Sequence, residues 1–243
     1  MTLLLLAGTA EAREIASRIA EEGVQAVASF AGATKAPAVL DLPMRSGGFG
    51  GKDGFRKYLR EERISAVLDA THPFAARISE RTARVCGELG LPLCLVLRPA
   101  WEPTAKDDWV SLKDETDAMN HVPEGAVVFL ATGRQRLEKF AGLVGRRVIC
   151  RVVDPQQDAF PFENGEYLVG RPSEDVAEEE ALFQRHDVEW LIARNAGGQA
   201  ARAKLEAARN LGIRVGLIER PAPPQGISVQ TVDAALDWVR GLP

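Results

Sequence analysis

Eight short, almost uninterrupted apolar runs, separated by stretches of helical period, leave this chain few choices of architecture. The runs lie at 3–7, 25–30, 66–69, 93–97, 126–130, 147–151, 190–193 and 214–218. Helical patterns fall at 11–22, 53–62, 75–89, 135–143, 174–185 and 199–211, with a last one at 231–240. Strands that lack a polar face are buried on both sides, as in a parallel sheet covered by helices. Regular strand–helix alternation therefore predicts an α/β protein with mostly parallel sheets.

The 243 residues suffice for one large domain or two small ones. A 46% hydrophobic content argues against intrinsic disorder, and a net charge of −4 provides no global field for nucleic acid. No run approaches the roughly 20 apolar residues of a membrane span. The apolar start at Leu3 lacks a basic region before it and meets Glu11 and Arg13 soon after, so it reads as a first strand. Cys86, Cys94 and Cys150 have neither disulfide-framework nor metal-ligand spacing; they read as small core side chains in a cytoplasmic protein, with no metal site.

Two long connections, 31–52 and 153–172, break the rhythm, and loops of that length usually carry function. A weak internal repeat aligns Gly90–Pro99 with Gly212–Pro221 at an offset of 122. It predicts two domains, 1–105 and 106–243, with a ligand cleft at the carboxyl ends of their strands.

Several strand-end residues suit such a ligand. Gly8, Thr9 and Ala10 follow the first strand and open a helix, whose free amides favour a phosphate; a plain tight turn capped by Thr9 reads equally well. Gly47, Gly48, Phe49, Gly50 and Gly51 suit a backbone wrapped around a phosphate or flat ligand, or a flexible loop. Thr71, His72 and Pro73 end the third predicted strand, where Pro73 holds His72 extended. Thr132, Gly133 and Arg134 repeat the theme in the second half. Strand-end arginines (Arg98, Arg134, Arg151, Arg194 and Arg220) point to a polyanionic ligand, with surface ion pairing as the alternative. Asp154 opens the second long connection as a candidate proton donor. No nucleophile elbow or zinc helix is present, which favours cofactor chemistry.

Taken in order, the segments Leu6–Arg13, Gly47–Gly51, Asp69–Ala75, Arg98–Trp101, Thr132–Gln135, Asn195–Gly198 and Lys204–Arg209 resemble the precorrin-6A reductase family of cobalamin biosynthesis. The resemblance implies two Rossmann-like domains and NADPH-dependent hydride transfer to a ring double bond of precorrin-6A, giving precorrin-6B. It further implies that Gly8, Thr9, Ala10 and the Gly47–Gly51 loop hold the cofactor. Thr71, His72 and Pro73 would border the nicotinamide, with Thr132, Gly133 and Arg134 approaching from the second domain. Arg98, Arg194, Lys204 and Arg220 become candidates for substrate carboxylates, and His72 and Asp154 for the catalytic proton. Transient contacts with neighbouring pathway enzymes are also implied, without nucleic acid or membrane partners.

Two departures stand out. The family often carries Arg after the Ala-Gly that ends its second strand, where this chain has Ala33-Thr34-Lys35. Lys35 becomes the candidate for the 2′-phosphate. Arg194-Asn195-Ala196-Gly197-Gly198 lacks the family's hydroxyl at Ala196. The rival readings are a nicotinamide-dependent reductase of a smaller anionic substrate and a non-catalytic two-domain anion-binding protein.

Overall fold

In the computed structural model, which describes residues 1–31, 40–199 and 201–243, the strands form two six-stranded, all-parallel sheets. In chain order the first strands are β1 (Leu3–Leu6), β2 (Ala26–Phe30), β3 (Met44–Ser46), β4 (Ala66–Asp69), β5 (Leu93–Val96) and β6 (Trp109–Leu112). Then come β7 (Val127–Leu130), β8 (Arg147–Val152), β9 (Gly165–Val169), β10 (Trp190–Arg194), β11 (Arg214–Ile218) and β12 (Ile227–Val229). The helices are α1 (Ala10–Glu21), α2 (Gly51–Glu61), α3 (Ala76–Leu89), α4 (Val176–Arg185), α5 (Ala203–Leu211) and α6 (Val232–Arg240).

The first sheet runs β12-β5-β4-β1-β2-β3 and the second β6-β11-β10-β7-β8-β9. All eight strands expected from sequence are found, and all occupy interior positions. The four strands not expected are the four edges. Both long connections that read as loops contain one of these edges, β3 and β9.

The chain divides into two compact units, Met1–Pro99 with Pro221–Pro243, and Ala100–Arg220. This differs from the expected division into 1–105 and 106–243, because β12 pairs with β5 and carries the C-terminal segment back to the first sheet. The sequence signal of β12 is short and half polar, so nothing in it marked the return.

β1 shows why the first sheet forms. Its four leucines are at most 2% exposed and alternate between two helical layers. Leu3 and Leu5 join a cluster with Ile15 and Ile19 of α1 and Leu236 and Val239 of α6. Leu4 and Leu6 join Phe55 and Leu59 of α2 and Val85 of α3. Each such leucine contributes about 1.5–3 kcal/mol on burial. In the second unit, Phe129, Leu191 and Val215 pack against Phe183 of α4 and Leu205 and Ala208 of α5.

Capping follows the sequence closely. The Thr9 hydroxyl accepts from Ala12 N at 3.1 Å and opens α1. Gly90 and Gly212 close α3 and α5 in matching left-handed conformations, with amides donating to the carbonyls of Cys86 and Gly87, and of Ala208 and Arg209. The repeat seen in sequence is thus a helix–glycine–strand unit placed identically in both sheets. One helix differs from expectation: the 135–143 pattern forms a 3₁₀ run, Arg134–Phe140, broken at Arg136 (φ −129°, ψ 22°). The three cysteines are buried and free, their pKa values pushed up by burial to about 12, 11 and 12 for Cys86, Cys94 and Cys150. No described helix is long and apolar enough to cross a membrane.

Candidate functional site

Beyond the carboxyl ends of β1, β2, β3 and β4 lies a hollow of about 150 Å³, lined by Ala7, Ser29, Phe30, Gly48, Phe49 and Arg81 among others. That is the edge at which open parallel sheets bind ligands. A Cβ at Gly8, Gly47 or Gly48 would meet no heavy atom within 4 Å, so open space faces the backbone there. Thr9 has its hydroxyl occupied twice: it caps α1 and donates to the Ala70 carbonyl at 2.9 Å. It therefore ties the end of β4 to the start of α1, and only its backbone and that of Ala10 remain to meet a ligand.

The glycine loop is an ordered turn. Gly50 caps α2 in the left-handed conformation (φ 74°, ψ 34°), which its lack of a Cβ permits. Phe49 is anchored edge-on to Phe55 and Tyr58, with centroids 4.8 and 5.0 Å away. Arg45 stacks over Phe49 at 3.9 Å while donating to Ser29 Oγ (2.7 Å) and the Gly48 carbonyl (3.2 Å). Arg81 approaches the same ring at 5.3 Å, and burial lowers its pKa, with Asp69 opposing and Arg45 reinforcing that shift. Gly54 permits this turn, because a Cβ on it would lie 1.7 Å from the Phe49 carbonyl oxygen. Arg45, Arg81 and Gly54 escaped the sequence reading. For Gly54 the signal was visible, as a glycine inside an otherwise regular helical pattern.

At the end of β4, Asp69 is 3% exposed and accepts from both the amide (3.1 Å) and the hydroxyl (2.7 Å) of Thr71 through Oδ1. Its Oδ2 is buried and accepts no hydrogen bond. His72 Nδ1 accepts from Phe74 N at 3.2 Å, so the neutral imidazole carries its proton on Nε2. Asp69, Thr71, His72 and Pro73 line a small cavity of about 30 Å³ together with 221–224, room for about one water. Arg98 pairs with Glu11 of α1 at 2.6 Å. Lys35 lies outside the described residues.

The second unit presents different chemistry at the equivalent edge. Thr132 and Gly133 follow β7, and the Thr132 hydroxyl is buried without a hydrogen-bond partner. Arg134 borders an open depression with Gln135, Asp158 and Tyr167. Arg194 ends β10, where its Nη2 reaches Glu115 Oε1 at 3.3 Å. Asp154 follows β8, half-buried, its carbonyl accepting from Gln156.

Other expected ligand contacts are engaged in building this unit. Asn195 exchanges two hydrogen bonds with the Trp101 backbone (2.8 and 3.0 Å), and Trp101 Nε1 donates to the Gly198 carbonyl at 2.8 Å. Arg220 donates to the Asn195 carbonyl. Lys204 is 7% exposed, with its ammonium on the Ala201 carbonyl and 5.2 Å from the centroid of the Trp101 ring. These residues fix the loop after β10. Arg151 also departs from the expected cleft-lining set: it forms a bidentate pair with Glu179, both bonds 2.8 Å, with side chains 4% and 2% exposed. No group of three or more potential metal ligands occurs among the described residues.

Comparison with known proteins agrees over the whole chain. The family model "Precorrin-6x reductase CbiJ/CobK" matches residues 2–240. A precorrin-6A reductase of Mycobacterium tuberculosis is 42% identical over 244 residues, covering 99% of this chain and 98% of its own. That of Rhodobacter capsulatus is 39% identical over 238 residues, covering 98% and 95%. A solved precorrin-6A reductase structure superposes with a TM-score of 0.94 at 38% identity, covering 99% of this chain and 96% of that one. With a family match from end to end and two parallel sheets of the same form, the chain belongs to the precorrin-6x reductase family.

Proposed function

We propose that this chain catalyses the NADPH-dependent reduction of precorrin-6A to precorrin-6B in cobalamin biosynthesis. The observation that carries this reading is the near full-length match to relatives named for that activity. The first unit fits a nicotinamide dinucleotide. Open space over Gly8, Gly47 and Gly48 admits a close approach to the backbone, and the start of α1 offers amides to a pyrophosphate at Thr9 and Ala10. Phe49, Gly50 and Gly51 shape the loop beside it, and Thr71, His72 and Pro73 border the end of β4.

Arg45 is our candidate for the 2′-phosphate beside Lys35. It lies opposite Ser29 in the β2–β3 register, next to the strand end where that phosphate is ordinarily read. When bound, the dinucleotide supplies a hydride, and the neighbouring ring carbon takes a proton. His72 Nε2–H is the first candidate donor and Asp154 the second. Asp69 fixes Thr71 and the adjoining turn, so His72 is held by a hydrogen-bonded strand end. Within the second unit, Thr132, Gly133 and Arg134 are further candidates for the cofactor, and Arg194 for substrate carboxylates. Arg98, Lys204 and Arg220 act mainly by holding Glu11 and the loop after β10. Three buried free thiols are consistent with a cytoplasmic setting.

The test mixes purified protein with precorrin-6A and follows NADPH oxidation with the macrocycle's absorption, with NADH in parallel. Coupled loss of both signals, faster with NADPH, is the expected result. Intact substrate after full incubation overturns the assignment.

A further inference from the structure

The second unit contains a charge cluster built from residues far apart in sequence. Glu115 opens the 3₁₀ turn Glu115–Asn120 after β6 and is 1% exposed. One oxygen takes Arg194 at 3.3 Å; the other takes Arg136 at 3.4 Å and Lys139 at 4.0 Å. Three cations from two separate strand ends thus gather on one buried carboxylate. Asp114 is also coupled to them: its carboxyl, held low mainly by bonds from Thr116, feels Lys139.

Burial and Arg136 both disfavour the charged form of Arg194, while Glu115 favours it. Three cations around one carboxylate leave a net positive charge at this strand end, and the two guanidinium groups repel each other. Arg136 and Lys139 keep 45% and 47% of their side-chain surface exposed, while the carboxylate they reach stays buried. The 3₁₀ run breaks at Arg136, the residue whose guanidinium turns to Glu115. A buried anion that orders partly exposed cations on the ligand-binding edge of a parallel sheet leaves room for a second anion on the solvent side.

We propose that Arg136, Lys139 and Arg194, ordered by Glu115, form an oxyanion subsite that takes a side-arm carboxylate of the substrate. The proposal rests on the reductase reading and adds a location for substrate recognition within the second unit. A dinucleotide phosphate shares the same chemistry and is the other source to distinguish.

Arg136→Ala is the decisive variant, because the side chain is nearly half exposed and its loss leaves no buried charge unpaired by itself. We expect KM for precorrin-6A to rise about ten- to a hundredfold, the effect of losing a charge-assisted hydrogen bond. The turnover number and the Kd for NADPH should stay within about twofold of wild type, and Arg136→Lys should recover part of the loss. The salt dependence of KM should also weaken, as one ionic contact is gone. A folded, active Arg136→Ala enzyme with unchanged KM overturns the subsite. An equal loss of NADPH affinity overturns it too, by assigning the cluster to the cofactor. A wild-type enzyme that reduces nothing refutes the reductase reading instead, so the two failures are distinct.

Discussion

The two sheets match in five of their six strands, with β12 and β6 taking the same edge from opposite ends of their units' chain order, yet their carboxyl-end edges are dressed in opposite ways. In the first unit that edge is glycine-rich backbone, a tethered aromatic ring and two arginines packed over it. In the second it is a set of cations around a buried carboxylate. The ion pairs differ in the same sense. Arg151–Glu179 is sealed inside the second unit, whereas Lys52–Glu88 and Arg56–Glu88 of the first remain partly exposed. One scaffold thus carries two kinds of strand end: open glycine backbone in one unit, and charge held in place by charge in the other. The strand order sets where each ligand edge lies, and only the residues at the strand ends set what it binds.

The largest expected effect separates the units by their interiors. Glu179→Ala leaves the Arg151 guanidinium buried and uncompensated beside Phe129, and should cost about 3–5 kcal/mol. Chemical denaturation should show it, while Glu88→Ala, its nearest counterpart in the first unit, should shift stability far less, because the pair is partly exposed and screened by solvent.

Next comes the turn that only the first unit has. Gly54→Ala drives a methyl group into the Phe49 carbonyl, so the loop must move, at about 1–3 kcal/mol. NADPH titration should show weaker binding with precorrin-6A turnover at saturating cofactor largely kept. Arg45→Ala tests the same edge more locally. Loss of its charge should weaken NADPH about tenfold and NADH far less. Equal loss for both would remove Arg45 from 2′-phosphate recognition, and Lys35→Ala runs the same comparison for the other candidate.

The smallest effect is a pH dependence in the second unit. Burial alone would raise the pKa of Asp107, but hydrogen bonds from Arg209 and Thr104 hold it down to about 2, against an ordinary 3.8. A carboxyl whose folded pKa is depressed stabilises the fold above its ordinary pKa and loses that contribution as pH falls toward the folded value. Between pH 4 and 2 the wild type should therefore lose stability more steeply than Asp107→Asn, as read by thermal melts across that range.

How much of this was legible in sequence follows from position in the sheet. Interior strands such as β1 and β10 are apolar on both faces and announce themselves. Edge strands touch a neighbour on one side only, tolerate polar residues, and shrink to three residues in β3 and β12. Met44-Arg45-Ser46 and Ile227-Ser228-Val229 consequently read as connection. Strand-end glycines and His72 were legible because turn chemistry is local. Glu115 was not, since it sits between Asp114 and Asp117 in a stretch that looks fully solvated, and its burial depends on Arg194, 79 residues away. The place of Lys204 over Trp101 was hidden for the converse reason: a lone cation in sequence does not name the ring it will meet.

The return of β12 to the first sheet has a consequence for synthesis. By residue 220 the emerging chain has every strand of the second unit, while the first still exposes the outer edge of β5. The Leu97 amide is later matched by the Val229 carbonyl at 2.8 Å, and α6 covers Leu3 and Leu5 with Leu236 and Val239. Until then a bare strand edge lies next to an uncovered apolar strip, the combination most prone to pairing with another nascent chain. Residues 221–243 are thus a condition for completing the first unit, and a ribosome that stalls near residue 220 would release a second unit with all its strands attached to an unfinished first.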